Sequence, residues 1–143
     1  MLIKKEILIN ADVKKVWKIF CELERWHEWG GYIIKTKWMS KRKWKKGSQF
    51  LQVVNGFVPI KKFESTPRII KIKNYKIVAW SGTRKLIRGE HTFEFQKIGS
   101  KTNVINFENF KGLLAPILFP LMKNNFEIYF EQFLEGLKKE AEE

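Results

Sequence analysis

Two titratable side chains in the second half of the chain have the types and the spacing that proton transfer needs. His91 shares one face of an alternating run with Phe93 and Phe95, so a period of two turns its ring toward the core. Glu108 lies in the next strand-like run, and a meander would bring its carboxyl near His91. Such a pair can orient a ligand carbonyl or act as general acid and base. It can equally be a buried polar pair whose members satisfy each other.

Two residue patterns make opposite predictions about the face of the strand on which Glu108 lies. Ile105 and Phe107 indicate one face of the strand as the apolar one, whereas Val104 and Phe110 indicate the other. The first choice turns the carboxyl of Glu108 outward and the second turns it toward the core. His91 and Glu108 are both candidate catalytic residues, and these two patterns leave the direction of Glu108 open.

Aromatic side chains form the second candidate site. The chain has six Trp and twelve Phe in 143 residues. Large flat side chains fill cores, and they also line ligand cavities. For any one of them the core is the simpler interpretation, but together they exceed what a tightly packed core of this size needs. The hydroxyl of Tyr129 could bind a ligand oxygen. The predicted ligand-contacting residues are Trp38, Trp80, His91, Phe93, Phe95, Glu108, Phe126, Tyr129 and Phe133.

Several other chemistries lack the residues they require. Two His and one Cys cannot build a usual zinc site, so no metal is predicted. The chain has no Gly-rich phosphate loop, GxSxG or HExxH motif, and no cofactor is predicted. Cys21 follows a predicted helix without a placed His partner, which argues against a thiol nucleophile.

Three kinds of segment must position these residues. A first strand over residues 2–9 is followed by Asn10 or Asp12 as a helix cap and by two short helices. Residues 32–110 alternate with a period of two between turn-forming pairs such as Asn55-Gly56, which indicates an antiparallel meander. After residue 112 apolar residues recur at steps of three and four, which predicts a helix from about Pro120 to Lys139.

These elements predict an α+β fold in one domain, residues 1–143. A curved antiparallel sheet of six to seven strands wraps around the long C-terminal helix, and two short helices follow the first strand. Because sheet and helix cannot close along their whole length, we expect a cavity between them.

The positive charge is concentrated in the middle of the chain. The net charge is +13, and residues 35–88 hold sixteen Lys/Arg against one acid, Glu64. Alternation sends these charges to the outer face of the sheet, where they can prevent strands from pairing with other chains. The alternative is weak docking to an anionic membrane or a nucleic acid, with Trp44 as an anchor and with the basic run Lys41, Arg42, Lys43, Lys45 and Lys46.

The sequence is that expected of a cytoplasmic protein. Its single cysteine allows no internal disulfide. Its N-terminus is charged too early for a signal peptide, and its longest apolar run, residues 112–122, is too short to span a bilayer.

Several stretches carry a family resemblance over nearly the whole chain. They are INADVKKVW (9–17), the tryptophans Trp26 and Trp29, WSG (80–82), GEHTFEF (89–95), FENFKGLLAP (107–116) and FLEGLK (133–138). In type and order they resemble the START-like, or SRPBCC, superfamily, and most closely its polyketide cyclase/dehydrase branch. The resemblance implies the helix-grip fold and a cavity for an apolar ligand.

Three functions follow as hypotheses. The first is binding or transport of a hydrophobic small molecule, such as a lipid, an isoprenoid or an aromatic or polyketide-like compound. The second, which the resemblance implies, is a cyclase or dehydratase that uses His91 and Glu108 as acid and base. The third is binding of a polyanion or an anionic membrane surface through the basic strands 35–88.

Overall fold

The computed structural model describes residues 1–82 and 84–143. A strand, a helix, a single 3₁₀ turn (Leu23–Arg25) and a second short helix come first, then seven more strands and a long helix. The elements are β1 (Leu2–Ile9), α1 (Val13–Phe20), α2 (Trp26–Trp29), β2 (Ile33–Trp38), β3 (Phe50–Phe57), β4 (Ile60–Ser65), β5 (Arg68–Lys73), β6 (Ile77–Ser81), β7 (Arg88–Ile98), β8 (Lys101–Lys111) and α3 (Ala115–Glu142).

The strands form one curved antiparallel surface that consists of two hydrogen-bonded sheets. Five strands pair in the order β1-β8-β7-β6-β5 and three in the order β2-β3-β4. The two sheets meet where Gln49 bridges to Arg68 and where Ile69 N donates to Ser48 O at 2.9 Å. The predicted α+β helix-grip architecture is confirmed. The described residues form eight strands instead of six to seven, because every alternating run forms a strand of its own.

The turn of the β3–β4 hairpin lies elsewhere than predicted. Asn55 pairs with Lys62 inside the ladder, so the Asn55-Gly56 turn was wrong. The ladder ends at the pair Phe57 and Ile60, which leaves Val58 and Pro59 as the turn. Pro59 has no N–H to contribute to a ladder, which accounts for the position of the reversal.

The last helix begins earlier than predicted. It starts at Ala115 and not at Pro120, because a proline close to the start of a helix costs little. Pro116 stands in the first turn, where its missing N–H would have no partner. Pro120 removes only the bond to the carbonyl of Pro116, and two residues earlier Leu118 N donates to Leu114 O at 2.9 Å.

The core lies between the concave face of the sheet and the C-terminal half of α3. In α3 the buried residues after the first turn are Phe130, Phe133, Leu134, Leu137 and Ala141. All but Phe130 pack with the inward side chains of the sheet and of the first two helices, among them Phe20, Trp26 and Phe93, whereas Phe130 packs with Ile3 and Phe110. Apolar burial of this kind contributes about 25 cal/mol per Å². The C-terminal half of α3 is therefore its firmly held part.

The outer surface carries the basic residues. All sixteen Lys/Arg between residues 35 and 88 are exposed. Lys35 and Lys37 flank the buried Thr36, as period two predicts. In the part of the chain that the structure describes, no helix is long and apolar enough to cross a membrane.

Candidate functional site

A cavity of about 680 Å³ separates the sheet from the N-terminal half of α3. Strands β3, β4, β6, β7 and β8 supply its walls together with α3. Most of its lining is apolar, including Phe63, Trp80, Phe110, Met122, Phe126 and Phe130. The predicted cavity is therefore present, displaced from the middle of α3 toward its N-terminal half.

The β3–β4 hairpin covers one side of this cavity. The rings of Phe57 and Phe126 lie 6.1 Å apart, centroid to centroid, where the hairpin contacts α3. The hydroxyl of Tyr129 donates a hydrogen bond to Gly56 O, and its ring stacks on Tyr32 at 4.9 Å. These contacts hold the hairpin against the helix while the space beneath it stays open.

His91 lies at the inner end of the cavity, on the concave face of β7. Its ring is 5% exposed and packs between the rings of Trp80 and Phe130, at 5.1 and 4.8 Å. Nε2 lies 2.5 Å from Asn106 Oδ1. With the amide oxygen turned toward the ring in this way, Nε2 is the donor and Nδ1 is the acceptor. Burial lowers the pKa of His91 to about 4, against the opposing effect of the Asn106 hydrogen bond. The imidazole is neutral at neutral pH.

Glu108 lies beside His91 on the same face, which settles its direction. The ladder pairs the two residues, and Glu108 Oε1 is 3.6 Å from His91 Nδ1. Val104, Asn106 and Phe110 share that face because they are two residues apart along β8. Burial raises the pKa of Glu108 to about 8. Its carboxyl is therefore mainly protonated at neutral pH and can donate a hydrogen bond.

Gly89 makes room for the carboxyl of Glu108. A Cβ on Gly89 would lie 1.9 Å from Glu108 Oε2, so no other residue at this position could leave the carboxyl where it is. Glycine in the interior of a strand often marks such a close approach. Both Gly89 and Glu108 line the cavity, and the carboxyl lies at its wall.

Together these groups form a neutral polar pair in an apolar wall. A protonated Glu108 can donate to an oxygen of a bound molecule, or to His91 Nδ1 when no such molecule is present. His91 Nδ1 can accept a proton. Burial raises the pKa of the Tyr32 phenol, which lines the same cavity, and the charge that Glu108 acquires above about pH 8 raises it further. In residues 1–82 and 84–143 no cluster of His, Cys, Asp or Glu is arranged to hold a metal.

The structure divides the predicted ligand-contacting residues into two groups. Trp80, His91, Glu108 and Phe126 line the cavity. The others lie outside its lining: Phe93, Phe95 and Phe133 in the packed core, Trp38 against Trp44 and Phe50, and Tyr129 against Tyr32. The hydroxyl predicted for a ligand oxygen, that of Tyr129, donates to Gly56 O.

Three residues of the site were missed by the sequence analysis. Gly89 could have been found from its place inside an alternating run, because glycine there indicates a close approach. Asn106 could have been found from its spacing of two from Glu108. Tyr32 carries no such signal, since it comes to the cavity from a distant part of the chain.

The basic run of residues 41–46 is exposed, apart from Trp44. Trp44 Nε1 donates to Cys21 O at 2.6 Å, and its ring packs 5.6 Å from that of Phe20. The indole is therefore turned inward and does not serve as a surface anchor. Burial raises the pKa of the neighbouring Cys21 thiol to about 12, which suits packing and not nucleophilic attack.

Comparison with known families agrees with this arrangement. The sequence model of the polyketide cyclase / dehydrase and lipid transport family matches residues 2–142. The chain belongs to that family. The sequence matches no curated protein.

Solved structures with very different sequences share the fold. A START superfamily protein from Mycobacterium smegmatis has a TM-score of 0.80 at 14% identity, over 99% of this chain and 97% of its own. The Zhui aromatase/cyclase from Streptomyces sp. R1128 has a TM-score of 0.82 at 11% identity, over 99% and 93%. Major latex-like protein 151 from Panax ginseng has 0.81 at 9% identity, over 99% and 97%. The family match over residues 2–142 confirms the predicted polyketide cyclase/dehydrase branch, and these likenesses confirm the START-like fold alone.

Proposed function

We propose that the chain binds and carries a hydrophobic small molecule, such as a lipid, an isoprenoid or an aromatic or polyketide-like compound, in the cavity under α3. The observation that carries this proposal is the cavity of about 680 Å³ with a mainly apolar wall. Small-molecule sites usually have volumes of about 300–1,000 Å³ and a few convergent polar groups. Burial of apolar ligand surface, at about 25 cal/mol per Å², would drive binding.

The polar pair formed by His91 and Glu108, at the inner end of the cavity, favours one feature of the ligand. Protonated Glu108 offers a hydrogen to an acceptor, and His91 Nδ1, at 3.6 Å, lies beyond the length of a good hydrogen bond, so a ligand oxygen can take its place. An unpaired polar group is costly in such a place, so a bound molecule should present an oxygen to it. The favoured ligand is therefore an apolar body with a carbonyl or hydroxyl at its leading end.

Displacement by a larger side chain tests the binding site. Phe126→Trp adds volume inside the cavity, whereas Ile128→Trp adds the same aromatic group at an exposed position two residues along α3. A fluorescent apolar dye should bind the wild type with a stoichiometry near one. Phe126→Trp should weaken that binding and Ile128→Trp should not. Equal binding by both variants, or no binding by the folded wild type, contradicts the proposal.

A second candidate function is acid–base catalysis, and the opposite pKa shifts of Glu108 and His91 favour it. A protonated carboxyl and a neutral imidazole, 3.6 Å apart at a cavity wall, can give and take a proton near neutral pH. With a polyketide-like substrate this arrangement would suit a cyclase or dehydratase.

Replacement of the two groups separates catalysis from binding. Glu108→Gln and His91→Gln should each lower turnover by about 10²–10⁴-fold while the apolar cavity still binds the substrate. Native mass spectrometry of protein from its own host can supply that substrate. Full activity of both variants contradicts acid–base catalysis by these residues, and binding then remains as the proposed function.

Two wider expectations accompany the binding function as proposals. We infer that residues 1–143 act as one binding domain and that the protein works in the cytoplasm. The sixteen exposed Lys/Arg of residues 35–88 would keep its strands from pairing with other chains. Docking of these strands to nucleic acid is the alternative, and a gel shift with random DNA at low and physiological salt tests it.

A further inference from the structure

Three segments that supply part of the cavity lining also carry exposed residues. They are the tip of the β3–β4 hairpin (residues 55–62, with Ile60 in the lining), the segment that leads into β7 (84–89, with Arg84 and Ile87), and the end of β8 with the first turns of α3 (110–126, with Leu118 and Met122). The last two are fastened together, because Leu114 N donates to Leu86 O at 2.9 Å. Gly112, with φ +115°, brings the backbone so close that a Cβ there would lie 2.4 Å from Leu86 O. We call the exposed side of these three segments the mouth surface.

Large apolar side chains point from the mouth surface into solvent. Leu113, Ile117 and Leu121 are 80%, 66% and 67% exposed. The last two are four residues apart in a helix, so they share one face. Val58 in the hairpin turn is 96% exposed, and Leu86 is 55% exposed. Apolar side chains that lie together at the surface mark an interaction site.

The same segments are basic. Residues 55–62, 84–89 and 110–126 contain seven Lys/Arg and no Asp or Glu. These seven are exposed: Lys61, Lys62, Arg84, Lys85, Arg88, Lys111 and Lys123. Two of them form ion pairs with acids that lie outside these segments, Lys111 with Glu90 and Lys123 with Glu127. The mouth surface therefore combines exposed apolar groups with positive charge.

We propose that the mouth surface docks on a bilayer that contains anionic lipids. Such a bilayer offers both complements, because its headgroup layer attracts lysine and arginine while its acyl region accepts leucine and isoleucine. Arg84, Arg88 and Leu118 belong to the cavity lining as well as to these segments. A docked protein would thus open its cavity toward the lipid, and a hydrophobic molecule could pass between them without crossing water.

The basic run 41–46 is the rival docking surface. It lies at the other end of β3, some seven residues or about 23 Å from the hairpin turn. Its one aromatic side chain, Trp44, packs inward. Charge alone gives weak and strongly salt-dependent attachment, which favours the mouth surface.

Co-sedimentation with vesicles tests the proposal without any ligand, so its outcome is independent of the proposed binding function. One set of vesicles contains phosphatidylglycerol and phosphatidylcholine in equal parts, and the other contains phosphatidylcholine alone. The wild type should bind the vesicles with phosphatidylglycerol, more weakly at higher salt, and should not bind the vesicles of phosphatidylcholine alone. Ile117→Asp/Leu121→Asp should weaken binding about tenfold or more, because it removes insertion and adds negative charge. A circular dichroism spectrum and a midpoint of urea unfolding equal to those of the wild type show that this variant is folded.

Ile98→Asp is the matched control. Ile98 is 51% exposed at the end of β7, ten residues or about 33 Å from Arg88 at the mouth, and its change should leave binding unaltered. Lys85→Glu should weaken binding and Lys43→Glu/Lys45→Glu should have the smaller effect. The proposal is overturned if the wild type ignores anionic vesicles, or if the control weakens binding as much as the double variant. It is also overturned if the basic run proves the stronger determinant, or if the mouth surface mediates self-association in solution.

Discussion

The buried carboxyl of Glu108 should make the stability of the protein fall as pH rises from 6.5 to 8. Its pKa is raised from 4.5 to about 8 in the folded state, so between these values the folded protein holds a proton that the unfolded chain releases. Stability then decreases with rising pH, because the unfolded state binds fewer protons. His91 acts in the opposite sense between about 4 and 6.5, where the unfolded chain binds the extra proton. Above 6.5 the opposing contribution of His91 fades, so the decline in stability there is mainly that of Glu108.

The size of the effect follows from the width of that window. One pKa unit corresponds to about 1.4 kcal/mol, so the 1.5 units between 6.5 and 8 give a loss of about 2 kcal/mol at most. Partial exposure of the carboxyl, 17% for its side chain, reduces this value. Urea unfolding at several pH values between 6.5 and 8 measures it. Glu108→Gln should remove the decline, because the glutamine side chain does not titrate in this pH range.

Two results would refute this reasoning. One is a wild-type stability that stays flat across the window. The other is a Glu108→Gln variant whose stability declines as steeply as that of the wild type, since the titrating group would then be a different one. Glu90→Gln is the control, because Glu90 precedes His91 on the outward face of β7 and pairs with Lys111 at the surface.

Three further predictions concern the cavity, the hairpin and the core. Gly89→Ala should displace the carboxyl of Glu108, because the new Cβ would lie 1.9 Å from its Oε2. The affinity for the dye and the decline in stability between pH 6.5 and 8 should both become smaller. An unchanged decline in stability contradicts the contact. Tyr129→Phe should cost about 1 kcal/mol in urea unfolding by removing the bond to Gly56 O, whereas Tyr75→Phe, at an exposed position, should cost almost nothing. Leu137→Ala should cost about 2–5 kcal/mol because the site is fully buried, and Leu121→Ala, 67% exposed, should stay within about 0.5 kcal/mol; similar losses in both would contradict the described packing of α3.

Periodicity in the sequence was enough to predict the fold class. The alternation over residues 32–110 and the helical spacing after residue 112 correspond to the strands and to α3. Local features were less predictable because they depend on tertiary context. Pro120 fits inside α3 since it stands near the start, and Asn55-Gly56 continues a ladder because Lys62 pairs across from it.

The candidate site was predictable in type but not in its details. His91 follows from the alternation of β7, whereas the direction of Glu108 required the register of β8 against β7. The pKa of each group depends on how many neighbours exclude water, which the order of residues along a chain does not show. Phe93, Phe95 and Phe133 have the same residue type as the cavity phenylalanines, and only the course of α3 over the sheet decides which of them contact the cavity.

The two halves of α3 differ in how they are held, and this has a consequence for hydrogen exchange. From Phe130 onward the helix is anchored by buried side chains, while Ile117 and Leu121 face solvent over the cavity and Pro120 interrupts the ladder of hydrogen bonds. Amides of the first half should therefore exchange through local opening, at a lower free energy than those of the second half, which require global unfolding. The rate at which a ligand enters would then be independent of the overall stability of the protein.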